Sequence, residues 1–381
     1  MTASARLRST AAALLTLAVA AIVSLLLAEC AVRWVRPQPA GLGWLSDEGI
    51  LLHVPNRSLR FKDYDFESNA SFNSHGFRDG EFEVPKPPGR FRILALGDSF
   101  TEGMQVHDEE TFSERIEAAL RGDGRDVDVL NLGVSGMGTS DELALLRIWG
   151  PRLEPDLVMV FFCLANDVRN NVQSDLCRME GGRVVCRQPE RPSPRRLAIA
   201  RLRARLATHS QLYQLMRAAT VAPFFQQIGL RASVPPESTP AMPFGTDLFL
   251  EQEPPYLADG MRLTEGALRE LKDASAELGA ELWLVLIPTR GQVEDPGWEA
   301  LVREDGRALR RDQPQRAMAA MAERVGIPLV DLYDDFVATD REGRRLYWRL
   351  DSHFNALGHA RAAEVVVRRL RESGPLARRD P

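Results

Sequence analysis

Ser99 stands in the stretch ILALGDSFTEG, Ile93 to Gly103, where four apolar residues run into Gly97, Asp98 and then a hydroxyl. A strand that ends in a small-residue turn exposes whatever follows it. Ser99 is therefore either a turn serine or a nucleophile. A serine hydroxyl attacks well only with a base to take its proton, an acid to orient that base, and donors for the developing oxyanion. The chain offers each of these. Asp351 and His353 lie two apart in YWRLDSHFNALGHA, Tyr347 to Ala360. Asn166 lies in LANDV, and Gly133, Gly136 and Gly138 punctuate LNLGVSGMGT, Leu130 to Thr139. An amide side chain and a close-approaching glycine backbone are both suitable oxyanion donors. Each signal alone has an ordinary reading: a turn, a flexible loop, a strand-end cap, a histidine near a helix start. Asp98 and His359 read as structural. His107, in a loop near the nucleophile segment, reads as structural with a substrate role as its alternative.

The elements around these residues decide whether they meet. RILAL from Arg92 reads as a buried strand, and TFSERIEAALRG as a helix with Thr111 as N-cap and Glu114 three residues on. VDVLNLG is a second strand, and TSDELALLRIWGPRL a second helix capped by Thr139 or Ser140. PDLVMVFFCLA is apolar on both faces, as a central parallel strand should be. After a break the alternation resumes: a helix over Thr264 to Leu278, strand AELWLVLIP, a helix across Gln313 to Val325, strand IPLVDL, and a helix from Ala356 to Leu370. This pattern predicts a three-layer α/β/α fold, a doubly wound parallel sheet, with ligands bound beyond the carboxyl ends of the strands. Ser99, Gly136, Asn166 and His353 all fall at such ends or just before the last helix.

In that order, the motifs resemble those of the SGNH, or GDSL-type, hydrolase family. GDSFTEG matches its nucleophile block and gives Ser99; NLGVSG gives Gly136; LAND gives Asn166; DSHFN gives Asp351 and His353. The resemblance implies a flavodoxin-like sheet and a serine esterase. Ser99 would be the nucleophile, His353 the base and Asp351 its orienting acid. Ser99 and Gly136 would give backbone oxyanion donors, and Asn166 a side-chain donor. It implies no metal or organic cofactor. NSHGFRDGEF, Asn73 to Phe82, resembles the lead-in of a membrane-anchored bacterial subgroup. Two departures stand out. Leu164 replaces the glycine usual in the third block, and Ser352 alone separates Asp351 from His353 where the family usually has two residues. The shorter spacing is similar to the acid-x-His pair of exported polysaccharide O-acetyltransferases, which keeps a transferase reading open. A catalytically silent carbohydrate-binding protein is the third alternative. The substrate class expected is a small-molecule or glycan ester.

The net charge of −5 gives a nucleic-acid partner no electrostatic support. From Ser9 to Ala28 there is no charge, a length that can cross a bilayer as a helix. Glu29 and Cys30 make a poor small-x-small cleavage site. An uncleaved single-pass anchor is expected, with a cleaved signal and a lipidated Cys30 as alternatives. The bulk of the chain would then lie in the periplasm or outside the cell. Cys177 and Cys186 flank RMEGGRVV, a hairpin pattern around two glycines, and a disulfide between them fits an oxidising compartment. Cys163 reads as a buried thiol, and no cysteine spacing resembles a metal site. The basic stretch PRRLAIARLRARLA, Pro194 to Ala207, reads as a solvated helix face, with membrane-surface contact as the alternative. The expected organisation is an anchor over 1–36, an approach segment over 37–90, and a hydrolase domain over 91–372 with an insertion at about 168–262.

Overall fold

The computed structural model describes residues 3–38, 41–174, 176–218 and 246–375. The loose stretch SVPPESTPAMPFGTD lies outside the described residues except for Thr246 and Asp247. The chain divides into two units. One comprises Met1–Asp47 and Pro192–Ala241, the other Glu48–Arg191 and Met242–Pro381.

The larger unit is built on a five-stranded parallel sheet. In chain order its strands are β1 (Phe91–Gly97), β2 (Val127–Asn131), β3 (Leu157–Cys163), β4 (Glu281–Ile287) and β5 (Leu329–Asp331). Their spatial order is β5-β4-β3-β1-β2, and every pairing is parallel. This is the 2-1-3-4-5 order of doubly wound sheets, whose topological switch lies between β1 and β3.

The residue pattern explains the layering. Successive strand side chains point to opposite faces. Leu94, Leu96, Val158, Val160, Leu282 and Leu284 join one core. Ile93, Ala95, Leu157, Met159, Trp283 and Val285 join the other. Every residue of β1 and β3 is buried, as the apolar runs predict for strands covered on both faces. The connecting helices are α1 (Ser99–Glu102), α2 (Phe112–Gly122), α3 (Thr139–Leu153), α4 (Asp167–Gln173), α5 (Pro255–Glu277), α6 (Gln313–Val325), α7 (Tyr333–Arg341) and α8 (Ala356–Ser373). Phe112, Ile116 and Leu120 of α2 and Val366 and Leu370 of α8 fill the second core. Leu143 and Leu146 of α3 and Leu268 and Leu271 of α5 fill the first.

Two local expectations are corrected. Helix α3 is capped by Gly138, with the Asp141 carboxylate accepting the Gly138 N–H at 3.2 Å. Thr139 and Ser140 cannot cap because their side chains are committed to Asn171: its amide donates to Thr139 Oγ1, and Ser140 Oγ donates to its carbonyl. Helix α5 begins at Pro255 rather than at Thr264, because Pro254 and Pro255 supply the N-cap and first-turn positions where a missing N–H costs nothing. Thr264 is interior, its hydroxyl bonded back to Gly260 O.

Cys177 and Cys186 face each other in the antiparallel hairpin Cys177–Glu180/Arg183–Cys186 and are joined by a disulfide. Cys163 is a buried free thiol, and Cys30 an exposed one.

In the smaller unit the N-terminal helix Ala3–Val35 includes a span, Thr10–Val35, long and apolar enough to cross a membrane. The basic helix Pro194–His209 starts at Ser193, whose hydroxyl accepts the Arg196 N–H at 3.3 Å. It packs beside the short strand Gly43–Leu45, and the Gly41 N–H donates to Ala207 O at 2.9 Å.

Candidate active site

β1 ends at Gly97, and the buried Asp98 caps α1 by accepting the Phe100 N–H at 2.9 Å. That cap fixes Ser99 as the first helical residue, at the β1/β3 switch point. The first N–H groups of a helix have no intrahelical partner, so this position is a natural place for negative charge. Ser99 Oγ lies 2.7 Å from His353 Nε2, and His353 Nδ1 lies 2.6 Å from Asp351 Oδ1. Three residues expected from separate motifs thus form one continuous hydrogen-bonded chain.

The single-residue gap between Asp351 and His353 has a geometric consequence. Asp351 Oδ1 also accepts the His353 backbone N–H, at 2.7 Å. The carboxylate folds back over Ser352, and one oxygen serves both donors of His353. The surrounding segment is held firmly. Tyr347 and Phe354 form a bridge, Trp348 N–H donates to His353 O at 3.0 Å, and the buried Tyr347 hydroxyl donates to Pro288 O at 2.7 Å. The Phe100 ring packs on the imidazole, centroids 4.7 Å apart. Burial works to raise the Asp351 pKa, but the hydrogen bonds from the His353 ring and backbone outweigh it and hold the carboxyl below its usual value. An ionised carboxylate only accepts, so Nδ1 carries the ring hydrogen and Nε2 is left to accept from Ser99.

Asn166 follows β3 and opens α4. Its Nδ2 donates to Asp98 Oδ2 at 2.9 Å, which ties it to the residue preceding Ser99 and leaves the second amide hydrogen for another acceptor. Burial raises the Asp98 pKa against the opposing Phe100 and Asn166 bonds, and Asp98 makes only structural contacts.

Gly136 is exposed at φ +81°, a left-handed conformation that favours glycine. Its loop is fastened to α1. Val134 N–H donates to Gly97 O at 3.1 Å, and Gly133 lies so close that a Cβ would collide with the Glu102 and Thr101 backbone. Ser135 donates its N–H, at 3.0 Å, and its hydroxyl to Glu102 Oε2.

Glu102 was not singled out by the sequence. It is 1% exposed, and its other oxygen lies 2.5 Å from His53 Nε2. It is thus the post to which the residue before Gly136 is tied. Its only sequence signal was its place in GDSFTEG; nothing local indicates a partner 33 residues away or one in the approach segment. Arg78, also missed, is buried and donates to Glu102 O, Gly103 O and Val106 O, closing the carbonyl end of α1. His107 accepts the Asn69 N–H through Nδ1 at 3.2 Å, a structural contact. His359 is buried with its Nδ1 accepting the Phe112 N–H at 3.2 Å. Burial, aided by the Arg78 and Arg115 charges, drives its pKa well down. Among the described residues no group of three or more His, Cys, Asp or Glu side chains is arranged to hold a metal ion.

Residues 95–361 match the model of the GDSL-like lipase/acylhydrolase family. The chain belongs to that family. Its members are ester-cleaving hydrolases, and this chain is one. No curated protein matches the sequence. Among solved structures it is similar to TesA at 12% identity, covering 73% of this chain and 97% of that one with a TM-score of 0.40. It is also similar to the acetyl xylan esterase AlAXEase (13%, 72% and 98%, 0.37 in the same order). A third is a catalytic mutant of Axe2, an acetylxylan esterase from Geobacillus stearothermophilus (15%, 74% and 95%, 0.38).

Proposed function

We propose that this GDSL-family hydrolase cleaves an O-acyl ester, with O-acetyl esters the first to test, by a Ser-His-Asp mechanism outside the cytoplasmic membrane. The observation that carries the reading is the unbroken chain Ser99 Oγ–His353 Nε2, His353 Nδ1–Asp351 Oδ1. Ser99 Oγ attacks the ester carbonyl carbon while its proton passes to Nε2. The imidazolium so formed is stabilised by the Asp351 carboxylate. The oxyanion takes hydrogen bonds from the Ser99 and Gly136 N–H groups and the free Asn166 amide hydrogen. Collapse breaks the ester C–O bond, and His353 returns the proton to the leaving alkoxide. Water, deprotonated by the same Nε2, then attacks the acyl-enzyme and regenerates Ser99. Losing one oxyanion donor costs about 3–4 kcal/mol of transition-state stabilisation at the upper end.

Three features support the location: the apolar span Thr10–Val35, the Cys177–Cys186 disulfide, and the likeness of NSHGFRDGEF to the lead-in of membrane-anchored bacterial members. The anchor, approach segment and hydrolase domain with its insertion remain the proposed organisation. The acid-x-His spacing favours one second reading, in which a sugar hydroxyl replaces water as the acyl acceptor. Acetate release from para-nitrophenyl acetate, followed with and without an oligosaccharide, separates the two. Turnover that needs no acceptor supports the hydrolase, acyl transfer at the expense of acetate release supports the transferase, and no turnover overturns both.

A further inference from the structure

The basic helix Pro194–His209 carries five arginines and no acid. It has two apolar faces. Ala204, Ala207 and Thr208 are buried toward the strand Gly43–Leu45. Ile199, Leu202 and Leu206, spaced i, i+3, i+7, are 42%, 58% and 39% exposed. At 3.6 residues per turn these three form one stripe on the side roughly opposite the buried one. Arg196 and Arg203 fall along one edge of the stripe, and Arg205 along the other. All three are exposed. Scattered single apolar residues on a surface are ordinary, but an apolar stripe edged by arginines is the arrangement of a helix lying in a membrane interface. There the aliphatic groups enter the acyl boundary and the guanidinium groups meet phosphates.

The neighbouring contacts set the level of this helix. The uncharged stretch Ser9–Ala28 spans about 30 Å as a helix, one hydrocarbon thickness. Glu29 therefore comes at the headgroup boundary. Its carboxylate accepts the Gln211 and Leu212 N–H groups at 2.8 and 2.9 Å and the Ser210 hydroxyl at 2.8 Å. Arg33, one turn on, donates to His209 O at 2.5 Å. The carboxyl end of the basic helix is thus clamped to the end of the membrane-crossing segment within the same unit.

We infer that the basic helix Pro194–His209 docks on the anionic phospholipid surface of the bilayer crossed by the N-terminal helix, with Ile199, Leu202 and Leu206 inserted and the flanking arginines on lipid phosphates. The inference rests on the reading that the N-terminal helix is a retained anchor. Charge complementarity selects the occupant: five arginines without an acid match an anionic headgroup layer. Arg201 is engaged elsewhere, with Asp47 at 2.6 Å and over the Trp44 ring, and fixes the helix to its own unit.

The test uses the full chain in nanodiscs of phosphatidylcholine with or without phosphatidylglycerol. An environment-sensitive fluorophore is placed through Ile199→Cys or Leu206→Cys in a Cys30→Ser background. A third label, through Ala20→Cys, reports on the anchor. The expected result is a blue-shifted emission at both 199 and 206 in phosphatidylglycerol discs, with quenching by lipid-borne quenchers. Arg196→Gln/Arg203→Gln/Arg205→Gln should abolish the shift while leaving hydrolysis of a soluble ester unchanged. Emission at 199 and 206 that stays water-like in anionic discs, while the label at 20 is lipid-quenched, overturns the docking and leaves the anchor standing. A shift at 206 alone also overturns it, since the helix then leaves the surface beyond its clamp. A label at 20 untouched by lipid quenchers removes the anchor reading itself, and the docking with it. A shift at both positions only when an acidic soluble protein is added, with lipid-borne quenchers ineffective, overturns the membrane in favour of a protein partner.

Discussion

Asp351→Asn is expected to be a mild variant for an orienting acid, because of the shared oxygen. In a serine protease, exchanging the orienting acid for its amide costs about 10⁴-fold, since the amide NH₂ faces the ring and forces the wrong tautomer. Here the acceptor atom lies 2.6 Å from His353 Nδ1 and 2.7 Å from the His353 backbone N–H. An amide nitrogen in that place would confront the fixed backbone N–H, donor against donor. The amide carbonyl oxygen, turned to the same place, keeps both bonds, and with them the tautomer that leaves Nε2 free. What is lost is the charge opposite the imidazolium. A hydrogen bond to a charged partner is worth about 1.5–3 kcal/mol, against roughly 1 for a neutral one. Even the whole charged bond corresponds to only about 10- to 150-fold in rate. The assay is kcat/KM on para-nitrophenyl acetate for wild type, Asp351→Asn and Asp351→Ala. Asp351→Ala should be the worse, because it also strands the His353 N–H. A loss near 10⁴-fold for Asp351→Asn would refute the shared-oxygen argument, and no loss would refute the role of Asp351.

Glu102→Ala should lower kcat with little change in KM, by up to the roughly 10²-fold of a weakened oxyanion donor, since it frees the Ser135–Gly136 loop; Glu102→Gln, which keeps an acceptor for Ser135, should recover part of it. His359 has a folded pKa well below its unfolded value near 6.5, so below about pH 6.5 the unfolded chain takes a proton that the native one refuses. Stability should then fall by up to about 1.4 kcal/mol per pH unit from this group, and urea titrations of His359→Gln should show a correspondingly shallower slope between about pH 6.5 and 5. In mass mapping, Cys163 should be alkylated only after unfolding, and Cys177 and Cys186 only after reduction. Opening that short loop should cost about 2–3 kcal/mol in chain-entropy terms, read as a lowered Tm of Cys177→Ala/Cys186→Ala.

The strands and the residues at their ends were legible because the apolar runs are unbroken. RILAL and LVMVFFC allow no other placement than the middle of a doubly covered sheet, and whatever follows them must sit on its carboxyl rim. Capping was less legible. Thr139 and Ser140 have the right chemistry for a helix start, but Asn171, on a different helix, claims both side chains. The Glu102 contacts were invisible for a similar reason. Its partners, His53 and Ser135, lie far off in sequence, and a buried glutamate leaves no periodic trace. The shortened Asp351–His353 spacing pointed to a departure from the family's pattern. Folding turns it into a tight loop in which one oxygen serves two donors, a geometry that spacing alone does not specify. The Glu29 clamp on residues 210–212 is likewise a contact between distant segments.

The most direct test of the central claim is covalent trapping of the nucleophile. The protein is incubated with diethyl para-nitrophenyl phosphate, and the adduct is located by tryptic mass mapping. A base-activated Ser99 should take up one diethylphosphoryl group, with para-nitrophenol released in equal amount. His353→Ala should slow the labelling to near the uncatalysed rate while leaving the fold intact by circular dichroism. Stoichiometric labelling at another residue, or labelling of Ser99 that does not depend on His353, would contradict the account.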